Sequence, residues 1–304
     1  MLQLAIKVDV DTCIGLQEGV PNLLALFRRY RIPASFFVAF GPDNSGKAIR
    51  RIFKRGFLHK MWRTKPLQIY GLKTLLCGTL LPAPIIGQMA PDLFERVVAE
   101  GHELGIHGYD HVRWQDRLDR LAEAEVTQEL ERAIALYAEA LRYPPRSAAA
   151  PGWQVNATSL TVQDRLQFRY CSDTRGCYPF LPVWQGCAFR TLQIPSTLPT
   201  LDEVLGLDGL RGEAINAYLL SQLRRDRLNV HTIHAEVEGR AQLPLFEALL
   251  KRLDAQGVDY VKLCDAAETL LRRGHDQIPR ASIQRRVIPG RAGTVACQII
   301  DDPS

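Results

Sequence analysis

The hydrophobic pattern of the chain alternates between short apolar runs and longer stretches with helical spacing. Short runs rich in β-branched and aromatic residues predict strands at residues 4–10, 34–40, 103–106, 167–171, 188–194, 229–233 and 260–263. Apolar residues three and four apart predict helices at residues 18–31, 92–100, 119–141, 245–256 and 266–272. About seven strands that alternate with helices indicate an α/β fold, either a barrel or a doubly wound sheet.

Two segments interrupt this alternation. Residues 43–91 form an insertion after the second predicted strand, and a connection of ~50 residues is too long to be a plain loop. From Gly274 onward Pro, Gly and Arg occur without a clear period, so we expect an irregular C-terminal tail over residues 276–304. The predicted organisation is one folded domain, residues 1–275, that carries the insertion and is followed by the tail.

Two carboxylates stand at the end of the first predicted strand. Asp9 and Asp11 are two residues apart, so on a strand both side chains face the same side. Two neighbouring carboxylates repel each other unless a cation or a proton lies between them. The pair therefore indicates a cation site, and the alternative is a helix-capping Asp next to a solvated one.

Two histidines follow the strand predicted at residues 103–106. His107 and His111 are four residues apart, a spacing that puts two imidazoles on one face of a helical turn, where both can bind one metal ion. With Asp11 they would form a two-histidine, one-carboxylate set that leaves positions open for water and substrate. The alternative is a chance pair of surface histidines. His102 precedes the strand, so we expect it to be structural.

Two further candidates follow later strands. His234 ends an apolar strand and could enter the same site, whereas His231, three residues earlier, should face the other side. Asp173 follows the strand at 167–171 and could orient a histidine, as carboxylates commonly do. The alternatives are a hydrogen-bonded core histidine and an ordinary turn aspartate near a glycine.

The order of these residues along the chain resembles the polysaccharide deacetylases of the NodB type, carbohydrate esterase family 4. That resemblance implies a single distorted (β/α) barrel with Asp9 as catalytic base and His234 as general acid. It also implies a divalent metal ion on Asp11, His107 and His111, with zinc the first candidate and manganese, cobalt or nickel the others. One motif departs from the family: the stretch 148–153 (AAAPGW) lacks the arginine that contacts the base.

Several stretches resemble one branch of this family, the deformylases of a formamido sugar carried on undecaprenyl phosphate. The resembling stretches include residues 9–12, 18–21, 41–44, 107–115, 172–176, 193–200 and 231–239. The resemblance implies hydrolysis of the formamide to an amine that modifies lipid A and gives resistance to cationic peptides. Two alternatives stay open: an N-deacetylase of another amino sugar or polysaccharide, and a non-enzymatic protein that binds a lipid-linked sugar.

Two more residues are candidate substrate contacts. The family resemblance places Trp153 near the sugar, and the alternative is that this aromatic side chain packs in the core. Arg175 lies two residues after Asp173 and could bind the phosphate in a bidentate manner. A structural salt bridge is the alternative for Arg175.

The charge of the insertion suggests a membrane partner. The formal net charge is only +5, but no Asp or Glu occurs between Asp43 and Asp92, where nine Lys and Arg alternate with bulky apolar residues. This composition is typical of a segment that lies on an anionic membrane surface. Nucleic acid would use the same charges, but no recognition motif accompanies them. With no signal-like segment and no CxxC pair among seven cysteines, we expect a peripheral protein on the cytoplasmic side of the bacterial inner membrane.

Overall fold

A computed structural model of the protein describes residues 2–47 and 76–300. Twelve strands are present in the described ranges: β1 Gln3–Val10, β2 Ala34–Val38, β3 Glu103–Ile106, β4 Ser147–Ala148, β5 Tyr170–Cys171, β6 Leu181–Trp184, β7 Cys187–Ala188, β8 Leu192–Gln193, β9 Asn229–His234, β10 Asp259–Tyr260, β11 Arg280–Arg286 and β12 Val295–Gln298. The helices are α1 Val20–Tyr30, α2 Pro91–Ala99, α3 His111–Arg117, α4 Glu123–Leu141, α5 Ala157–Leu166, α6 Leu201–Val204, α7 Glu213–Ser221, α8 Leu243–Ala255 and α9 Leu263–Arg272.

Eight of these strands form one parallel sheet. Its order is β10-β1-β2-β3-β4-β5-β8, and β9 pairs with β1. Across the remaining gap the amides of Thr197 and Leu198, which follow β8, each donate to the Val230 carbonyl of β9 at 3.1 Å. The sheet thus curves into the distorted (β/α) barrel that was expected, with one strand more than the about seven predicted.

Strand β1 separates the two parts of the core. Leu4, Ile6 and Val8 belong to the large core that packs under the helices, whereas Ala5 belongs to the smaller core inside the barrel. Because side chains alternate along a strand, Lys7 and Asp9 lie on the same side as Ala5. Two charged residues are thereby directed into the interior of the barrel.

The loops after β1 and β9 pack closely against each other. Each contains a π-helical turn, Gly15–Gly19 after β1 and Val237–Ala241 after β9, a distortion often found at functional sites. At Gly19 a Cβ atom would lie 2.0 Å from the Ala235 carbonyl oxygen, so only glycine permits this approach. The loop that carries Asp11 is therefore held against the loop that follows His234.

The C-terminal tail departs from the prediction. Residues predicted to be irregular form β11 and β12, which join β6 and β7 in a second, four-stranded sheet. Along β11 the odd-numbered Ala281 and Ile283 are buried and their neighbours exposed, but the strand is stabilised only by β6 and β12. Those partners are distant in sequence, so a local pattern search missed the strand.

Other elements also differ from the sequence prediction, among them one strand that is split and helix α5. The strand predicted at 188–194 is split between β7 and β8, because the Asp164 carboxylate accepts hydrogen bonds from the amides of Arg190 and Thr191. Helix α5 was not predicted, since its buried face includes the polar Ser159 and Gln163. Asn156 caps this helix by accepting a hydrogen bond from the Ser159 amide at 2.9 Å.

Candidate active site

The two histidines come together through a tight turn. His107 directly follows β3, and His111 is the first residue of α3, so the two do not share one helical turn as expected. Gly108 adopts a φ of 71° between them, and Asp110 caps α3 by accepting the Arg113 amide at 2.9 Å. The imidazole centroids lie 5.2 Å apart. This left-handed conformation favours glycine at position 108.

Asp11, at the carboxyl end of β1, completes a potential metal site. His107 Nε2 lies 3.4 Å from Asp11 Oδ1, and His111 Nε2 lies 3.3 Å from Asp11 Oδ2. The three ligand atoms all lie within 4.8 Å of one another. Tetrahedral ligands at about 2.0–2.1 Å from a zinc ion are roughly 3.3–3.4 Å apart. The donor set therefore fits a divalent ion, and the buried Asp11 Oδ1 has no hydrogen-bond partner among the described residues.

The protonation of His107 suits a metal ligand, whereas the ionised form of Asp11 would need a cation beside it. His107 Nδ1 lies 2.9 Å from the Ala149 carbonyl, so an Nδ1–H donor leaves Nε2 free as a ligand. Burial lowers the pKa of His107 well below its ordinary value, which keeps the ring neutral. Burial also raises the pKa of Asp11 to about 7, opposed by the nearby His234. A cation would favour the ionised form of Asp11.

The sheet brings Asp9 and His234 next to the potential metal ligands. The two residues are direct partners in the β1–β9 ladder, and Asp9 Oδ2 lies 3.9 Å from His107 Nε2. Asp9 Oδ1 is buried without a hydrogen-bond partner within the described ranges. His231, as expected, lies on the other side and lines a small cavity with Leu201 and Leu219. His102 is structural, since it accepts the Ala34 amide at 3.1 Å.

Three charged residues of the site were missed by the sequence analysis. Lys7 is fully buried, with Nζ 3.3 Å from Asp9 Oδ2. Glu236 Oε2 accepts the Asp11 amide at 3.5 Å, and Glu238 Oε2 accepts the His234 amide at 2.9 Å. Burial raises the pKa of Glu238 to about 8 and that of Glu236 well above its ordinary value. The sequence shows these three residues beside the motifs, but only the fold shows that they are buried.

Asp173 does not orient His234 in this structure. Its Oδ2 accepts hydrogen bonds from Gln163 Nε2 at 2.8 Å and Gln193 Nε2 at 3.2 Å, and its Oδ1 has no hydrogen-bond partner within residues 2–47 and 76–300. Burial raises the pKa of this carboxyl to about 6. Two glutamines, one on α5 and one on β8, hold the aspartate instead, so the expected contact with the imidazole is corrected.

The contacts of Arg175 and Trp153 support their structural alternatives. Arg175 Nη1 contacts both carboxylate oxygens of Glu203 at 2.8 Å, and its Nη2 donates to the Leu198 carbonyl at 2.8 Å. These contacts favour the structural salt bridge, and the phosphate contact stays a prediction. Trp153 is only 2% exposed and packs with Val295 and Cys297 of β12, because the unforeseen C-terminal sheet covers it.

Sequence comparison connects this site with known proteins. A family model described as polysaccharide deacetylase matches residues 5–171. The chain is 37% identical to a protein of Shewanella sediminis (strain HAW-EB3) named probable 4-deoxy-4-formamido-L-arabinose-phosphoundecaprenol deformylase ArnD, over 97% of this chain and 94% of the relative. A protein of the same name from Wigglesworthia glossinidia brevipalpis is 32% identical over 94% of this chain and 98% of the relative.

Structural comparison gives the same fold. A crystal structure from Mycobacterium smegmatis, named as a polysaccharide deacetylase, superposes with a TM-score of 0.62 over 94% of both chains at 18% identity. A second, from Pseudomonas aeruginosa PAO1 and named likewise, gives 0.61 over 90% of this chain and 93% of that chain at 16% identity. At these identities the likeness concerns the fold alone.

Proposed function

This chain belongs to the polysaccharide deacetylase family and is an amide hydrolase, and on that premise we propose that it is a metal-dependent deformylase of 4-deoxy-4-formamido-L-arabinose-phosphoundecaprenol. We infer the substrate from the names of the two relatives, which match nearly the whole chain. The observation that carries the chemistry is the Asp11, His107 and His111 donor set. Hydrolysis would give formate and the 4-amino-4-deoxy-L-arabinose lipid.

Asp11, His107 and His111 would hold a divalent metal ion, with zinc first and manganese, cobalt or nickel as alternatives, which would serve as a Lewis acid for the amide carbonyl and lower the pKa of water. In this proposal Asp9 acts as general base, which is supported by its buried Oδ1 without a hydrogen-bond partner among the described residues. It accepts a proton as the water oxygen bonds to the formyl carbon. His234, beside Asp9 in the sheet, donates a proton to the sugar nitrogen as the C–N bond breaks.

The product explains what this reaction would achieve. A formamide is neutral, whereas the amine released from it is protonated at neutral pH. Transferred to lipid A, that positive charge would lower the affinity of the outer surface for cationic peptides such as polymyxin. We therefore assign the protein to lipid A modification and to resistance against such peptides.

Mass spectrometry tests this proposal directly. The lipid-linked formamido sugar is incubated with purified protein and zinc, and a mass loss of one CO unit is expected, which a chelator should abolish. The lipid-linked acetamido sugar is the matched second substrate. Faster hydrolysis of the acetamide would refute the formyl assignment and favour an N-deacetylase, although one methyl group alone contributes only ~1–3 kcal/mol to discrimination.

We also propose that the insertion at residues 43–91 holds the protein on the anionic membrane surface where its substrate resides. Residues 48–75, which carry most of its basic residues, lie outside the described part of the chain. Among the described residues no helix is long and apolar enough to cross a bilayer. Leu80 and Leu81 are 81% and 37% exposed at the end of the insertion, as expected for side chains that enter an interface.

The first residues of the insertion, Asp43 and Asn44, contact loops that carry the candidate site. Asp43 Oδ2 accepts the Cys13 amide at 2.8 Å, just after Asp11. Asn44 Nδ2 donates to Asp110 Oδ2 at 2.7 Å, just before His111. A membrane-bound insertion would thus lie beside the metal ligands.

Vesicle flotation tests the membrane contact. The protein should float with anionic vesicles and dissociate as salt rises, and replacing residues 47–81 with a short linker should abolish binding. Leu80→Ser should weaken binding, whereas Val287→Ser, at a residue 74% exposed outside the insertion, should not. Equal flotation of the shortened and full-length proteins would refute the proposal.

A further inference from the structure

A buried lysine lies on the catalytic side of β1. Lys7 has no solvent exposure, and the burial of an ammonium group is costly unless it is paired. Its Nζ lies 3.3 Å from Asp9 Oδ2 and donates to the Ser172 carbonyl at 3.1 Å. Asp9 and Ser172 are therefore its compensating partners, and only Asp9 carries a negative charge.

Aromatic rings fix the direction of this side chain. Lys7 Nζ lies 5.6 Å from the ring centroid of Phe37 and 5.7 Å from that of Trp153, within the range of a cation–π interaction. Trp153 is itself held, since its Nε1 donates to Ser196 Oγ at 3.1 Å. The ammonium thus has little freedom to move away from Asp9.

The two oxygens of Asp9 are in different environments. Oδ2 contacts Lys7, whereas the buried Oδ1 has no hydrogen-bond partner in the described ranges. An anchored oxygen fixes the plane of the carboxylate and leaves the other one to accept a proton. We propose that Lys7 is the positioning residue for Asp9 and takes the place of the arginine that the stretch 148–153 lacks.

This inference rests on the proposed role of Asp9 as general base, and a double-mutant cycle tests it. Lys7→Met removes the charge at similar length. We expect a zinc content of one per chain, an almost unchanged KM and a kcat lower by about 10²-fold, within the range of a general base. Lys7→Arg should recover part of the loss. Lys251→Met, whose side chain is 62% exposed, is the control and should retain full activity.

The Asp9→Asn background separates a positioning role from a structural one. If Lys7 acts through Asp9, Lys7→Met should change kcat by less than about twofold once Asp9 is Asn, because coupled residues are non-additive. A full additional loss in the double variant, or wild-type kcat in Lys7→Met, would overturn the proposal. If Lys7→Met fails to fold, Lys7→Gln replaces it, since its amide can still donate to the Ser172 carbonyl.

Each rate is measured on both the formamido and the acetamido lipid. A wild-type enzyme that hydrolyses only the acetamide refutes the deformylase proposal, and the cycle on that substrate still tests Lys7. Formamide hydrolysis with no effect of Lys7→Met refutes the role of Lys7 alone.

Discussion

Asp11→Asn should make the metal-free protein more stable while it removes the metal site. Burial raises the pKa of Asp11 from its ordinary 3.8 to about 7, so between these values the folded protein holds a proton that the unfolded chain has released. Stability therefore falls as pH rises through this window. At about 1.4 kcal/mol for each factor of ten in the ionisation constant, the charged carboxylate costs up to about 4 kcal/mol. Asparagine carries no such charge.

The assay is urea unfolding of chelator-treated protein from pH 5 to pH 8. We expect Asp11→Asn to exceed the wild type by roughly 2 kcal/mol at pH 5 and by up to about 4 kcal/mol at pH 8. The shifted carboxyls of Asp173 and Glu238 are common to both proteins and cancel in the difference. Glu236 adds to the difference in the same direction, because the charge of Asp11 contributes to its raised pKa. Asp276→Asn, at an exposed aspartate, serves as the control for the loss of one carboxylate.

Added zinc should narrow this gap at pH 8, and at about a thousand times its dissociation constant, where it stabilises by about 4.1 kcal/mol, it should close it. An ion at a hundred times its dissociation constant stabilises the protein that binds it by about 2.7 kcal/mol, and the variant lacks the carboxylate ligand. A metal-free Asp11→Asn protein that is no more stable than the wild type at pH 8 would refute the reasoning. So would a difference that stays constant from pH 5 to pH 8.

The remaining predictions concern single side chains. His107→Ala should lose both bound zinc and activity, because it removes a ligand, and unchanged metal content by elemental analysis would contradict the site. Asp9→Asn and His234→Ala should each retain zinc but lose about 10²–10⁴-fold in turnover; near-normal rates in either variant would remove that role. Arg175→Ala should lower the free energy of unfolding by about 1.5–3 kcal/mol, since it removes two charge-assisted contacts of the buried Glu203, which keeps Arg291 as its partner, with unchanged KM. A raised KM at wild-type stability would instead restore the phosphate contact.

The sheet formed by β11 and β12 determines the surroundings of Trp153, a residue that the sequence analysis assigned to the substrate or the core. Arg291, on the loop between β11 and β12, places its guanidinium 4.4 Å from the Trp153 ring centroid and 3.5 Å from Glu203. Arg291 thus contacts Trp153 from a segment more than a hundred residues away, and the Arg175 guanidinium lies against the same ring. Because β11 depends on the distant β6 for pairing, no local sequence pattern could predict that this sheet covers Trp153.

The sequence by itself determined the alternation of strands and helices in an α/β fold, and its family resemblance added the barrel and the proposed metal ligands. Apolar periodicity is a local property, and it located β1, β2, β3 and β9 to within a few residues. Parallel strands gather their carboxyl ends at one edge, so Asp11, His107 and His234 could be placed together before any coordinates were known.

Only the tertiary structure decided the partners of the buried charges. Lys7 reads as an ordinary polar interruption of an apolar strand, and its contact with Asp9 depends on how Phe37 and Trp153 enclose it. Asp173 likewise accepts hydrogen bonds from two glutamines, and Arg175 pairs with Glu203, because packing between distant segments brings these groups together. A periodic pattern specifies which face of a strand a side chain occupies, but register and packing between distant segments specify what it meets there.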